Sequence, residues 1–188
     1  PIILGVRALA MSGTTIYVGG DFNGATAVNG GTLRNYLAEI DATTGVATAW
    51  NPNSNSLIGS LAIDGTTVYA GGWFTPMGLT PHNYVAAIDR TSGLASPSWN
   101  PNANNIVYSL ALNGTTVYAG GVFTMIGGAT RSRLAAMNTD GTLESWSPIA
   151  NSNVYALLVN GTTIYAGGAF TTINGATRSY LAAIDANG

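Results

Sequence analysis

The sequence predicts an all-β protein in which one antiparallel unit is repeated four times. The main observation is a string of the form Gly-Thr-Thr-Ile/Val-Tyr-Val/Ala-Gly-Gly, which begins at residues 13, 65, 114 and 161 and so recurs every 47–52 residues. A fixed period of this length is the signature of a repeat architecture. A Ser-Gly, Asp-Gly or Asn-Gly pair opens each string, which indicates a hairpin, and no stretch has the 3.6-residue period of a helix.

Each repeat is predicted to contain four short strands. The first precedes the tight turn (ALAM in the first repeat), the second follows it (TTIYVGG), and the third comes after a longer loop (YLAEI). An Asp or Asn then opens a second turn, where its short side chain can bond the backbone two residues on. The fourth strand is predicted to end at a tryptophan, which is Trp50, Trp99 or Trp146, and an Asn-rich crossover leads to the next repeat.

These blocks divide a single domain of residues 1–188 into repeats at approximately 5–56, 57–105, 106–152 and 153–188. In the second strand Ile16 and Val18 face one side of the sheet and Tyr17 faces the other, so both sides suit burial. Sheets of four strands that stack on both faces are the blades of a β-propeller, which is the predicted architecture. Close backbone approach is expected at the diglycine pairs, which are Gly19 and Gly20, Gly71 and Gly72, Gly120 and Gly121, and Gly167 and Gly168.

The repeat motif also resembles a known group. The order GTTxYxGGxF, LAxID, Thr-Gly turn and Trp-Asn-Pro is similar to the delta-sixty-type β-propeller repeats of bacterial surface proteins, and more distantly to kelch repeats. The resemblance extends from about Val6 to Gly188. It implies a propeller of about four blades, each with four antiparallel strands, and it says little about activity because this architecture hosts unrelated functions.

The last blade is predicted to be incomplete. The fourth repeat stops at Asp185-Ala186-Asn187-Gly188, before any tryptophan-bearing strand. Three outcomes stay open: a longer propeller of six to eight blades, a four-bladed ring with one short blade, or a neighbouring subunit that supplies the missing strand or blades. An open edge strand invites pairing with another chain, so assembly is expected. The expected partners are copies of the protein itself or the remaining blades of a longer chain.

Composition narrows the function classes. The chain has six Arg, no Lys and a net charge of −2, which excludes nucleic-acid binding through a broad basic surface. It has no Cys, so thiolate chemistry and Cys-based metal sites are excluded, and we expect neither a metal nor a cofactor. No apolar run reaches the length of about 18 residues that spans a bilayer. Charged residues make up 7% of the chain, and we interpret this composition as extracellular or cell-surface.

One repeat column carries candidate binding residues, which are Arg34, His82, Arg131 and Arg178. Several guanidinium groups at one end of a ring could hold a carboxylate or sulfate in bidentate fashion. Alternatively, each side chain bonds the backbone carbonyls of its own loop. Trp73 is a further candidate, because it lies in a loop that differs between copies. These loops, at residues 21–34, 73–82, 122–131 and 169–178, are where a ligand site is expected.

Other regular columns are interpreted as structural. The tyrosine and tryptophan columns could stack on sugars, but packing between blades accounts for them better. The column of Asp41, Asp89, Asn138 and Asp185 lacks the closely spaced oxygens of a calcium loop, so turn capping is expected.

Three functions remain. The leading hypothesis is a non-enzymatic structural or adhesive propeller that assembles with itself or with a larger surface protein. The second is a lectin-like propeller that binds carbohydrates or anions. The third, an enzyme acting on a polysaccharide, would need a carboxylate pair for which Asp21 and Glu39 are the only off-pattern acids, and no catalytic residue is assigned.

Overall fold

The computed structural model describes residues 5–24 and 33–187. Within these ranges the chain is all-β and has no helix, so none could cross a membrane. Part of the variable loop at residues 21–34 lies outside the described residues. Four antiparallel three-stranded sheets follow one another along the chain, one from each predicted repeat.

The bounds of the strands repeat closely. Sheet 1 contains β1 (Val6–Ser12), β2 (Thr15–Gly20) and β3 (Leu37–Asp41), and sheet 2 contains β4 (Ile58–Ile63), β5 (Thr67–Gly72) and β6 (Val85–Asp89). Sheet 3 contains β7 (Val107–Asn113), β8 (Thr116–Gly121) and β11 (Leu134–Asn138). Sheet 4 contains β12 (Val154–Asn160), β13 (Thr163–Gly168) and β16 (Leu181–Asp185). The diglycine-bearing strand is central in each sheet.

Two loops contain a small hairpin of their own, which the sequence did not predict. These are β9 (Met125–Ile126) with β10 (Ala129–Thr130), and β14 (Thr172–Ile173) with β15 (Ala176–Thr177). The Asn-rich crossovers fix three of the variable loops. In each, an asparagine side-chain oxygen accepts the N–H of a threonine near the start of the loop. The pairs are Asn55 with Thr75 at 2.8 Å, Asn104 with Thr124 at 2.9 Å, and Asn151 with Thr171 at 2.8 Å.

The predicted fourth strand is wrong for the described residues. After the second turn, only one isolated antiparallel bridge forms with the third strand, at Ile40 and Ala47 in repeat 1, with equivalents at Ile88 and Ala95 and at Met137 and Leu143. The chain then leaves the sheet, and its tryptophan packs against the next repeat. The indole Nε1 of Trp50 donates to the Asp89 carbonyl at 3.0 Å, which lies in the next repeat.

Three apolar clusters form the core, and each lies between consecutive sheets. We call the side of a sheet that carries its second-strand tyrosine the forward face, because it packs against the following sheet. The opposite side is the backward face. Tyr17 and Leu37 of sheet 1, for example, pack with Val68 and Ile88 of sheet 2. Sheets 2 and 3 therefore each contribute one face to each of two cores, whereas sheets 1 and 4 each contribute to one.

Candidate functional site

The contact between two consecutive sheets, which we call a joint, is built in the same way each time. The candidate site consists of the two sheet faces that lack such a contact among the described residues. The first glycine of the diglycine pair leaves a hole in the forward face, and a β-branched side chain of the next sheet fills it. A Cβ placed on Gly19, Gly71 or Gly120 would lie 2.6, 2.9 or 2.7 Å from the nearest methyl carbon of Ile58, Val107 and Val154, respectively. These three side chains are completely buried.

Aromatic pairs close the outer part of each joint. Tyr17 and Trp50 have ring centroids 5.2 Å apart, and the pairs Tyr69 with Trp99 and Tyr118 with Trp146 are each 5.1 Å apart. Each indole Nε1 donates to a carbonyl of the next repeat, on Asp89, Asn138 or Asp185, at 2.9–3.0 Å. The three tryptophans and the tyrosines of the first three repeats therefore pack between sheets, whereas Tyr165 of the fourth is 38% exposed.

The forward face of sheet 4 has the same design but no sheet against it in the described part of the chain. A Cβ on Gly167 would meet nothing nearer than 3.9 Å, so the hole is empty. Leu158 and Leu181 on this face are 65% and 66% exposed, whereas Leu37 and Leu134, which match Leu181 in other repeats, are fully buried. This face is an unfilled half of a joint.

The backward face of sheet 1 is the other half-joint that no sheet fills among the residues the structure describes. Val6 matches Ile58, Val107 and Val154 by its pairing with the second glycine, yet it is 55% exposed. Leu9 and Met11 on the same sheet are each 66% exposed. Isolated apolar side chains at a surface need no explanation, but several exposed apolar side chains on one face of a sheet mark a candidate interaction surface.

The arginine column lies elsewhere, and its side chains bond their own loops. Arg34 donates to the carbonyl of Leu33 at 2.6 Å and also to that of Thr48. Arg131 donates to the carbonyls of Thr130 at 3.0 Å and Glu144 at 2.9 Å. Arg178 donates to the carbonyl of Thr177 at 2.8 Å. In each described bond the partner belongs to the same repeat, so the geometry favours loop anchoring.

His82 occupies the same column but is fully buried. Neither ring nitrogen has a hydrogen-bond partner, and the Asn100 Oδ1 atom is also buried without one. Burial lowers the pKa of His82, and the neighbouring Asn100 side chain opposes part of that shift. A buried, neutral imidazole is a packing element of this loop. It does not reach solvent as a ligand-binding side chain would.

The aspartates of the Asp and Asn column cap turns, whereas the Asn138 side chain donates to the Thr142 hydroxyl at 2.8 Å. The Oδ1 atom of Asp41 accepts the N–H groups of Thr43 and Thr44, both at 2.8 Å. These bonds lower the pKa of the Asp41 carboxyl. Asp89 accepts equivalent N–H groups from Thr91 and Ser92, and no group of three His, Asp or Glu side chains suited to a metal occurs among the described residues.

The two off-pattern acids are engaged in different places. Asp21 accepts the Gly5 N–H and pairs with Arg7 at 3.3 Å. Glu39 accepts the Thr48 hydroxyl at 2.8 Å. Trp73 lies apart from the arginine column and stacks edge-on against Tyr108, with ring centroids 5.3 Å apart. Sequence reasoning missed this contact, because Tyr108 belongs to another repeat and its column is not constant.

Comparisons with known proteins agree with this fold. Residues 116–145 and 163–188 match the model of the DUF5122 family, which is described as a β-propeller domain of unknown function. No curated protein matches the chain.

Among solved structures, the computationally designed Ika4 protein is similar with a TM-score of 0.65 at 15% identity, over 98% of this chain and 93% of that one. The designed Ika8 protein matches with a TM-score of 0.60 at 16% identity, over 93% of this chain and 47% of its own. U3-55K matches with a TM-score of 0.59 at 15% identity, over 89% of this chain and 47% of its own. This chain thus spans about half the length of the latter two.

At these identities the structural likeness concerns the fold alone. The match over these two segments and the all-β fold together support a β-propeller fold for this chain.

Proposed function

We propose that this protein is a non-enzymatic, extracellular structural module, a β-propeller or part of one, that assembles with further copies of itself through its two open faces. The observation that carries the proposal is the pair of half-joints, with the empty hole at Gly167 on one end and the exposed Val6 on the other. The forward face of sheet 4 in one copy receives the backward face of sheet 1 in the next.

The three internal joints support the pairing of sheet 4 with sheet 1 of another copy, because each joins the same two kinds of sheet face. In each of them a methyl group of a β-branched residue sits where a glycine Cβ would be. Burying a side chain such as Leu or Met contributes about 1.5–3 kcal/mol. Leu9, Met11, Leu158 and Leu181 would all gain burial in such a joint. The contact between copies therefore gains the burial free energy of several side chains, from which the free-energy cost of association is subtracted.

The contact joins different faces of the two copies, so it is heterologous. A heterologous contact closes into a ring if its rotation permits, and otherwise propagates as a filament. A ring of two copies would have eight sheets and no open face. Closure of the four sheets within one chain would use the same two faces and would leave the protein monomeric, so mass alone separates these outcomes.

The proposed extracellular location is supported by composition, with no Lys, no Cys and 7% charged residues. The carbohydrate- or anion-binding alternative gains nothing from the arginine column, since an anion would have to displace carbonyl bonds at Arg34 and Arg131.

The test is the mass of the purified chain from about 1 µM to about 1 mM by sedimentation or light scattering. We expect association that rises with concentration and that Val6→Asp abolishes, because the substitution places a charge in an apolar joint. Gly167→Ala should weaken association about tenfold or more while leaving unfolding unchanged within about 0.5 kcal/mol, because its Cβ meets open space in the single chain.

Two matched variants serve as controls. Val46→Asp alters a valine that is 44% exposed outside both faces, and it should leave association intact. Gly120→Ala makes the same change as Gly167→Ala in a filled joint, and it should cost about 1–3 kcal/mol of unfolding free energy. A monomer at every concentration, or an assembly that is indifferent to both Val6→Asp and Gly167→Ala, would overturn the proposal.

A further inference from the structure

The four repeats provide an internal comparison of which positions the fold requires. Columns with a structural task keep one residue type, as the tyrosines and diglycines show. Two columns instead vary in character between repeats, although the first keeps tyrosine in repeats 3 and 4. The first comprises Arg7, Gly59, Tyr108 and Tyr155, next to the residue that fills the joint, and the second comprises Asp21, Trp73, Val122 and Ala169, directly after the diglycine pair.

The fold brings the first column together with Trp73 of the second. Arg7, Leu57, Gly59, Trp73, Tyr108 and Tyr155 line one cleft of about 310 Å³. This volume lies at the lower end of the range of small-molecule sites, which are lined mainly by aromatic and apolar side chains with a few polar groups. Residues from all four repeats thus contribute to a single concave surface.

An aromatic series forms the wall of the cleft. Trp73 lies 5.3 Å from Tyr108, and Tyr108 lies 5.4 Å from Tyr155, with interplanar angles of 66° and 64°. Tyr155 remains 51% exposed, and Trp73 and Tyr108 are partly exposed. Large aromatic side chains that keep exposed surface around a cleft are suited to contact a ligand.

Gly59 is part of the construction of this wall. A Cβ at this position would lie 2.8 Å from the Cζ3 atom of Trp73, so the indole occupies the space that a side chain would need. The glycine of the second repeat therefore permits the position of Trp73.

The charged residue of the cleft lining is Arg7, and its charge is balanced by Asp21, which is not itself a lining residue. Arg7 pairs with Asp21 at 3.3 Å, and Asp21 also accepts the Gly5 N–H. Burial alone would raise the pKa of Asp21, but the Gly5 N–H and Arg7 together lower it, so the carboxylate stays ionised. A paired guanidinium and carboxylate offer donors and acceptors to hydroxyl groups without an excess of either charge.

We propose that this cleft binds a neutral hexopyranose unit of a β-1,4-linked glycan. A pyranose whose ring substituents are all equatorial has two apolar faces of axial C–H groups, which pack on aromatic rings, and a rim of hydroxyls, which suits the Arg7 guanidinium of the cleft lining. The proposal goes beyond assembly, and it depends on no contact between copies.

The test is a titration with cellohexaose and with chitohexaose, followed by calorimetry and by tryptophan fluorescence. All four tryptophans lie in the described ranges, and Trp50, Trp99 and Trp146 are only 3–6% exposed. A spectral change on binding would therefore report on Trp73. We expect saturable binding of at least one glycan, weakened about tenfold by Tyr155→Ala. Gly59→Ala should also weaken binding, because it displaces the indole without removing it.

Tyr180→Ala is the matched control, because Tyr180 is 65% exposed but does not line the cleft. It should bind like the unaltered protein. An oligogalacturonate serves as the acidic probe and should bind more weakly than the neutral glycans. The absence of binding to both neutral glycans, preference for the acidic probe, or equal binding by the Tyr155→Ala and unaltered proteins would overturn the proposal.

Discussion

The two glycines of each diglycine pair have different physical tasks. The first leaves a hole for the neighbouring sheet, as at Gly19. The second has no room for a Cβ because of the backbone itself. A Cβ on Gly72 would lie 2.2 Å from the Leu57 carbonyl oxygen, which accepts the N–H of Trp73 at 2.9 Å. Substitution of the second glycine therefore breaks a sheet, whereas substitution of the first separates two sheets.

His82 predicts a specific pH dependence. It is the single histidine of the chain, and burial lowers its pKa in the folded state below the ordinary value of 6.5. The unfolded chain then binds more protons than the folded protein as the pH falls below about 6.5. The stability from the neutral, buried imidazole is thus fully present above that pH. It is lost as the pH falls from about 6.5 through the lowered pKa of the folded state.

Urea unfolding at several pH values between about 7.5 and 4.5 measures this effect. The unfolding midpoint should already fall on acidification above about pH 5.5, where ordinary carboxyl groups titrate little. A His82→Gln variant cannot be protonated there, so its midpoint should change much less. Equal slopes for the two proteins would show that His82 is not the titrating group.

Some residue conformations could not be read from residue types. Four residues directly before the third strands have positive φ values of 62–69°, although none is Gly, Asn or Asp: Tyr36, Tyr84, Arg133 and Tyr180. The cause is a pair of backbone bonds. The N–H of each residue donates to the carbonyl of the Phe that lies two residues after the diglycine pair of its repeat, at 2.8–3.0 Å. Its carbonyl accepts the N–H of the second glycine of that pair at 2.9–3.0 Å. The tertiary bonds override local preference.

At the scale of the strand, the hairpin and the third strand were predictable, but the fourth strand was not. Turn residues and constant columns specify the first three strands directly. The fourth segment has similar residue types, yet it makes one bridge and then turns so that a tryptophan can reach the next repeat. The residue pattern of one repeat does not show its contacts with other repeats. For the same reason the cleft at Trp73, which is lined by several repeats, could not be predicted.

Serines on the first strands of sheets 2 and 3 link those sheets to the next. The Ser60 hydroxyl accepts the N–H of Leu110 at 2.8 Å, and the Ser109 hydroxyl accepts that of Leu157 at 3.0 Å. Each bond lies at a register shift between the first two strands. The N–H groups of Leu110 and Leu157 are directed toward the preceding sheet, where a serine hydroxyl accepts each of them.

Ser60→Ala and Ser109→Ala should each lower the unfolding free energy by about 1–3 kcal/mol, because a part-buried N–H loses its acceptor. Chemical denaturation of each variant measures the cost. Ser98→Ala is the control, since Ser98 is exposed, and it should change stability by no more than about 0.5 kcal/mol. If the interior variants match this control, water replaces the serine and the bonds do not stabilise the joints.

For the whole molecule, stability follows from the stacking of sheets in series. In an array of repeats, the total is close to the sum of repeat terms and nearest-neighbour joints. Sheets 2 and 3 each have two filled joints, whereas sheets 1 and 4 each have one. The residue pattern of the second strand predicted this dependence on stacking, since both of its faces suit burial. Only the structure shows which two sheet faces lack a neighbour among the described residues.

Hydrogen exchange should therefore be graded along the chain. Amides that open locally exchange with the free energy of that opening. In dilute solution, the amides of β1 and β13 should exchange faster than those of β5 and β8, because the end sheets can detach by breaking a single joint. At high concentration, the proposed contact adds a second joint to each end sheet, so β1 and β13 should become protected together. Val6→Asp should prevent that gain but leave the gradient at low concentration. Uniform protection of all four sheets in the dilute protein would mean that the terminal faces are already covered within one chain.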